Sequence, residues 1–172
     1  LMCGGKMIEQ LIENKINLWR AKYYSQNWGD DLVLDPPFLF GCNTLLIKSV
    51  WEEVNGYNEK LKTNGEDINF INELKSKVRG KIIYNPEAKC YHLQDDNIET
   101  LSHRVWRYHS FGYKIKEPSF KKLIKLTIKQ TKFFFQRFFN NLIKLDLNGI
   151  FISYKVFINF IKLEHKFLKK RK

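Results

Sequence analysis

The 172-residue chain lacks any run of 18 consecutive apolar residues, so it offers no candidate for a membrane-spanning helix. It also lacks a basic opening segment followed by an apolar stretch, which excludes a recognisable secretory signal. Cysteine is scarce: Cys3, Cys42 and Cys90 are an odd number without metal-type spacing. That argues against a disulfide framework and for three small buried apolar residues in a reducing compartment. Acidic residues are nearly missing from the last third. Residues 121–172 carry 14 Lys and Arg against Asp146 and Glu164, which equals the whole net charge of +12. Residues 1–120 balance 16 basic against 16 acidic side chains, so a neutral body is followed by a basic tail.

What is present is a chain rich enough in apolar (44%) and aromatic (15%) residues to exclude disorder. Ile8, Leu11, Ile12, Trp19 and Tyr23 recur at helical spacing and predict a helix from Met7 to Trp28, broken at Gly29. Phe38-Leu39-Phe40 reads as a short buried strand entering a tight loop, Gly41-Cys42-Asn43-Thr44. Ser49-Val50-Trp51-Glu52 has capping-box form and predicts a short helix, which Asn55-Gly56 should end. After the turn signal Asn64-Gly65, a helix is expected from Glu66, with Ile68, Ile71, Leu74 and Val78 inward and Gly80 closing it. Lys81–Tyr84 reads as a strand, Asn85-Pro86 as a turn and Ala88–Leu93 as a second strand. Asp95-Asp96-Asn97 should cap a helix reaching about Lys114, with Ile98, Leu101, Val105 and Tyr108 facing inward.

Three segments in order could carry chemistry: Phe40-Gly41-Cys42-Asn43; Asn55-Gly56-Tyr57 leading to Gly65-Glu66-Asp67; and Tyr84-x-Pro86 followed by Tyr91-His92. Singly, each has an ordinary explanation. An acidic pair in a first helical turn suits the helix dipole, and Asn-Gly is a turn. Together, "FLFGCNTLLIKSVWEEVNGYNEKLKTNGEDINFINEL" and "GKIIYNPEAKCYHL" resemble the second half of the family 2 glycosyltransferases and the C-terminal domain of galactosyltransferases. The resemblance covers roughly residues 1–117. It implies an α/β fold, the C-terminal (acceptor-side) half of a Rossmann-like GT-A domain, over residues 1–117; residues 118–172, where Leu126, Gln130, Phe133 and Arg137 interleave at near-helical spacing, read separately as a basic amphipathic helical tail.

The same resemblance implies the activity: inverting transfer of a sugar from a nucleotide-sugar donor to a cell-surface glycan or lipid-linked acceptor. Asp67 would be the catalytic base and Glu66 its acceptor-positioning neighbour. A helix N-terminus would hold the Asp67 pKa low. Gly41 and Asn43, with Arg104, Trp106 and Arg107 on the following helix, would bind donor or acceptor. His92 would be a ligand to Mn²⁺, with Mg²⁺ the all-oxygen alternative that leaves it unused. The sequence departs from the family in lacking the nucleotide-binding half and its Asp-x-Asp motif, so a piece of a longer enzyme is expected. Asp30-Asp31 and Asp95-Asp96 read as turn and cap residues. Thr63 and Asn64 stand where the galactosyltransferase-like core usually has a Trp.

The tail interleaves its cations with Phe133, Phe134, Phe135, Phe138, Phe139, Phe151, Phe157, Phe160 and Phe167. Basic amphipathic helices of this kind bind anionic membrane surfaces. Packing of the tail on the domain is the plainer alternative. Single-stranded nucleic acid is the third, without a motif to support it, so no nucleic acid partner is expected. The expected location is cytoplasmic, peripheral on the inner face of the cell membrane. From a different functional class, a non-catalytic basic module binding membrane or nucleic acid competes with the enzyme.

Overall fold

In the computed structural model, residues 1–61, 65–110, 113 and 117–170 are described. The fold is mixed α/β, with a four-stranded mixed sheet and six helices among the described residues. The packing forms two compact units: Leu1–Gln10 with Tyr24–Leu93, and Leu11–Tyr23 with Gln94–Lys172. Residues 94–110 group with the basic tail.

The first unit is built on β1 (Met2–Glu9), which lies inside the sheet order β2-β4-β1-β3. Its partners are β3 (Thr44–Leu46), antiparallel, and β4 (Ile82–His92), parallel; β2 (Val33–Leu34) pairs antiparallel with β4. The expected helix from Met7 to Trp28 is thus a strand first, and helical only over α1 (Lys15–Tyr23), which belongs to the second unit. β1 contains Gly4-Gly5, which give it no regular alternation of polar and apolar side chains, and the helical spacing of Ile8, Leu11 and Ile12 is incidental to it. Phe38–Phe40 is irregular rather than a strand.

β4 runs through the Asn85-Pro86 signal instead of turning. The register with β1 passes from Gly5↔Asn85 to Lys6↔Lys89, so residues 86–88 are extra on the β4 side, a bulge that accommodates Pro86. The bulge presses on β1: a Cβ at Gly5 would lie 1.8 Å from the Ala88 carbonyl oxygen, which admits only glycine.

Helix α2 (Lys48–Glu53) forms as expected, but its N-cap is Ile47 with no side-chain bond, so the Ser49 capping box is not made. Asn55 and Gly56 follow at φ 60° and 67°, the left-handed pair that ends a helix. Helix α3 (Glu66–Lys77) starts where expected and buries Phe70, Ile71 and Leu74. Asn64 lies outside the described residues. The core of the unit gathers Met2, Leu39, Val50, Val54, Phe70, Ile71, Leu74, Ile82 and Tyr84.

The second unit is helical: α1, α4 (Ile98–Ser110), α5 (Phe120–Ile143) and α6 (Leu147–Lys169). Asn97 caps α4, its Oδ1 accepting from the Glu99 and Thr100 N–H groups at 2.9 Å. Lys114, the expected end of that helix, lies outside the described residues. Leu101 and Val105 are buried, whereas Tyr108 is exposed rather than inward. Helix α6 packs on α4, α5 and α1, and stacks Phe157 on Phe134 of α5 at 4.8 Å between ring centroids. Leu123 of α5 and Ile152, Val156 and Phe160 of α6 are therefore core residues of this unit.

Two buried polar hubs fix the helices. Asn141 of α5 accepts from Lys22 Nζ (2.5 Å) and Tyr23 Oη (2.6 Å) and donates to Ser153 Oγ of α6 (3.3 Å). Ser153 also accepts from Trp19 Nε1 at 2.9 Å. The second hub is Asp96, read from the sequence as a turn or cap residue, whose side chain is completely buried. Its Oδ2 lies 3.3 Å from Arg20 Nη1 and 3.3 Å from Arg104 Nε, and its N–H donates to Asn17 Oδ1 at 2.9 Å. A buried ion pair adds little net stability, but removing one partner strands the other charge. Asp96→Ala should lower the unfolding free energy by about 3–5 kcal/mol, measured by chemical denaturation. Arg104→Ala should cost less, because that side chain is a quarter exposed. An unchanged denaturation midpoint for Asp96→Ala would remove the pair from the framework.

Candidate functional site

The residues with most chemistry in the first unit meet where the loop before β3 faces the start of α3. Gly65, at φ 89°, turns the chain into α3 and places Glu66 and Asp67 in its first turn. Asp67 Oδ1 accepts from the Ile68 N–H at 2.8 Å. A Cβ at Gly41 would sit at contact distance, 3.6 Å from Asp67 Cβ and 3.4 Å from Tyr57 Oη, so the bare glycine leaves the width of one side-chain carbon between the loop and these two residues. Tyr57 is held by Trp51 and Phe70, each ring 5.0 Å away. Glu66 has one carboxylate oxygen buried without a hydrogen-bond partner.

The electrostatics reverse the expectation for Asp67. Burial pushes its carboxyl above the usual carboxylate range, and the neighbouring Glu66 charge pushes the same way. The N–H groups of Ile68, Gly41 and Asp67 itself oppose this without overcoming it. The helix terminus alone would lower the pKa; desolvation by the packed loop wins. The Tyr57 hydroxyl is likewise raised, first by burial and then by the Asp67 charge. In the sequence Tyr57 stands in the Asn55-Gly56-Tyr57 turn segment, and no spacing rule puts it near Asp67.

Asn43 does not face this carboxylate with its amide. Its Nδ2 donates to the carbonyls of Ala88 (2.9 Å) and Lys6 (3.3 Å), and its own carbonyl accepts from the Gly5 N–H at 3.0 Å. Asn43 thus ties the loop to the β1–β4 bulge. The same loop brings Cys42 to the Met7 sulfur at 3.4 Å, with Cys90 at 2.9 Å on the other side. None of the three cysteines is fully buried, contrary to expectation, and Cys42 is exposed.

His92 closes β4 opposite Glu9 of β1, and its Nδ1 lies 2.9 Å from Glu9 Oε1. A carboxylate on one ring nitrogen fixes an imidazole in the way that metal-binding histidines are fixed. One oriented imidazole is not a cation site, however. Among the described residues, no three His, Cys, Asp or Glu side chains converge to hold a metal ion.

Arg104, Trp106 and Arg107 belong to α4 in the second unit. Arg104 is engaged by Asp96, and Trp106 Nε1 donates to Glu164 Oε2 at 3.1 Å. Arg107 lines a shallow groove of about 320 Å³ with Arg104, His103, Thr100, Glu99 and Gln94. Burial and the nearby Arg104 charge lower the Arg107 pKa. The two units thus each carry part of the residue set, Gly41, Glu66 and Asp67 in the first and Arg104 and Arg107 in the second.

The raised Asp67 pKa has a stability consequence. A carboxyl with a folded-state pKa above its unfolded value of about 3.8 stabilises the fold only at acid pH, and that contribution is lost as pH rises through the folded pKa. Ionised Asp67 therefore costs stability at pH 7. Asp67→Asn, which keeps an oxygen for the Ile68 N–H, should melt at a higher temperature than the parent at pH 7. The difference should vanish as the pH approaches 3.8, in paired melting curves. A variant less stable than the parent at pH 7 would contradict the assignment of burial as the dominant effect.

No family model matches the chain, nor does any curated protein or solved structure.

Proposed function

We propose that the chain is the acceptor-side half of a GT-A domain and that it serves inverting sugar transfer from a nucleotide-sugar donor. The observation that carries this reading is the state of Asp67: a half-buried carboxylate of raised proton affinity, beside a glycine, in the first turn of a helix. A general base works best when its pKa lies near the working pH, since it must be ionised beforehand and still hold a proton strongly. Burial moves Asp67 in that direction from its ordinary value near 3.8. Further support comes from the order of elements: β1 and β4 pair in parallel, with α3 between them in sequence and the acidic pair at its start.

In this reading an acceptor hydroxyl lies in the space beside Gly41. Its oxygen attacks the anomeric carbon of the donor, its proton passes to an oxygen of Asp67, and the nucleoside diphosphate leaves with the bonding electrons of the glycosidic bond. Tyr57 borders that space, and with Glu66, the residue before the base, would hold the hydroxyl and fix its direction of attack. Arg104 and Arg107 carry cationic charge suited to a phosphate-bearing donor or acceptor. No step is assigned to a divalent cation, and His92 with Glu9 provides one oriented imidazole.

The test is transfer by the full-length natural protein, supplied with nucleoside-diphosphate sugars and assayed for nucleoside diphosphate release with and without glycan or lipid-linked acceptors. Asp67→Asn should lower kcat by about 100-fold or more, with no loss of melting temperature. Turnover near the parental rate would remove Asp67 from the chemistry. Failure of every donor to release nucleoside diphosphate would reject sugar transfer itself.

A further inference from the structure

Helix α5 carries its apolar stripe away from its buried side. Leu123, Gln130 and Asn141 are its buried residues and fall together on one side. Phe120, Ile124, Ile128, Phe135, Phe139 and Leu142 are all exposed. At 3.6 residues per turn these six lie within an arc of about 100°, a continuous stripe along the helix. The stripe runs on into the turn before α6. Ile143, Leu145 and Leu147 are 81%, 83% and 75% exposed, and Phe151 and Tyr154 of α6 are exposed as well. Scattered exposed apolar residues mean nothing, but a contiguous strip of this length marks a surface that binds something.

Charge identifies the occupant. Lys121, Lys125, Lys129 and Lys132 fill the next about 80° of the helix circumference beside the stripe, and Lys144 and Lys155 flank the turn. No acidic residue lies between Phe120 and Leu145. No helix among the described residues is long and apolar enough to cross a membrane. A helix with an apolar stripe, a bordering row of lysines and too little hydrophobicity to span lies in the interfacial plane of a bilayer. Its lysines extend to phosphate headgroups while its aromatic and aliphatic side chains enter the acyl boundary.

We infer that the outer face of α5, together with the α5–α6 turn, is a lipid-docking surface for an anionic bilayer. The assignment is narrower than the whole basic tail, since most of α6 is spent on packing against α4 and α5. It stands independently of sugar transfer.

The test uses the full chain and vesicles of phosphatidylcholine with or without phosphatidylglycerol, read by co-sedimentation. The parent should bind the mixed vesicles and bind pure phosphatidylcholine at least about tenfold more weakly. A turn variant, Ile143→Ser with Leu145→Ser and Leu147→Ser, alters only well-exposed side chains and should keep the parental melting temperature. Its affinity should fall by about tenfold or more at low and high salt alike. A second variant, Lys121→Gln with Lys125→Gln, Lys129→Gln and Lys132→Gln, should lose a similar factor at low salt and show a flatter salt dependence. Parental binding by both variants would overturn the assignment. So would a parent that ignores vesicles and instead forms a stripe-dependent dimer, or one that binds single-stranded nucleic acid tightly at physiological salt.

Discussion

The parallel pairing of β1 with β4 is the constraint on which the first unit depends. Eight residue pairs join the strands, and β3 and β2 attach to them on either side. The ladder cannot run straight, because Pro86 has no N–H to give it. Residues 86–88 bulge towards β1, and Gly5 is the only residue type that lets the backbones come so close. Asn43 then bonds across the irregularity to Lys6 and Ala88. Anchoring Asn43 fixes the loop that carries Gly41, and Gly41 is what leaves room beside Asp67. A backbone irregularity in the sheet is thus connected, through one side-chain amide, to the carboxylate with the most chemical potential in the unit.

The second unit relies on polar groups placed where a helical bundle would ordinarily use leucine. Asp96 sits between two guanidinium groups, and Asn141 draws Lys22, Tyr23 and Ser153 to one point. Directional contacts of this sort tolerate few alternative registers, whereas an apolar seam slides. The aromatic content of α5 and α6 would otherwise allow many packings. Arg137 lies over Trp19, Tyr23 and Phe133, so a cation also orders the rings about it.

How much of this could be read from the sequence varies with how local the cause is. Asn55-Gly56 ends α2 and Glu66 opens α3 because dihedral preference and helix-end electrostatics act within a few residues. The long tail helices followed from periodicity. β1 was hidden because Gly4-Gly5 interrupt any alternation of its side chains, and its neighbours happened to mimic a helix. Pro86 was read as a chain reversal when the sheet absorbs it as a bulge. For Asp67 the position was legible and the direction of its pKa was not: the dipole is a local property, but the burial that outweighs it arises from tertiary packing. Asp96 was misjudged for the same reason, since its partner Arg20 lies 76 positions earlier.

The order in which the chain visits its two units has a bearing on inheritance. Residues 1–10 enter the first, 11–23 the second, 24–93 return, and the remainder completes the second. Neither unit is written as one stretch of sequence. A recombination event that exchanged everything after residue 117 would separate α4 from α6, and one that exchanged residues 1–93 would carry α1 away from its bundle. Surface loops can vary freely, but the helical unit and the sheet unit must descend as a pair.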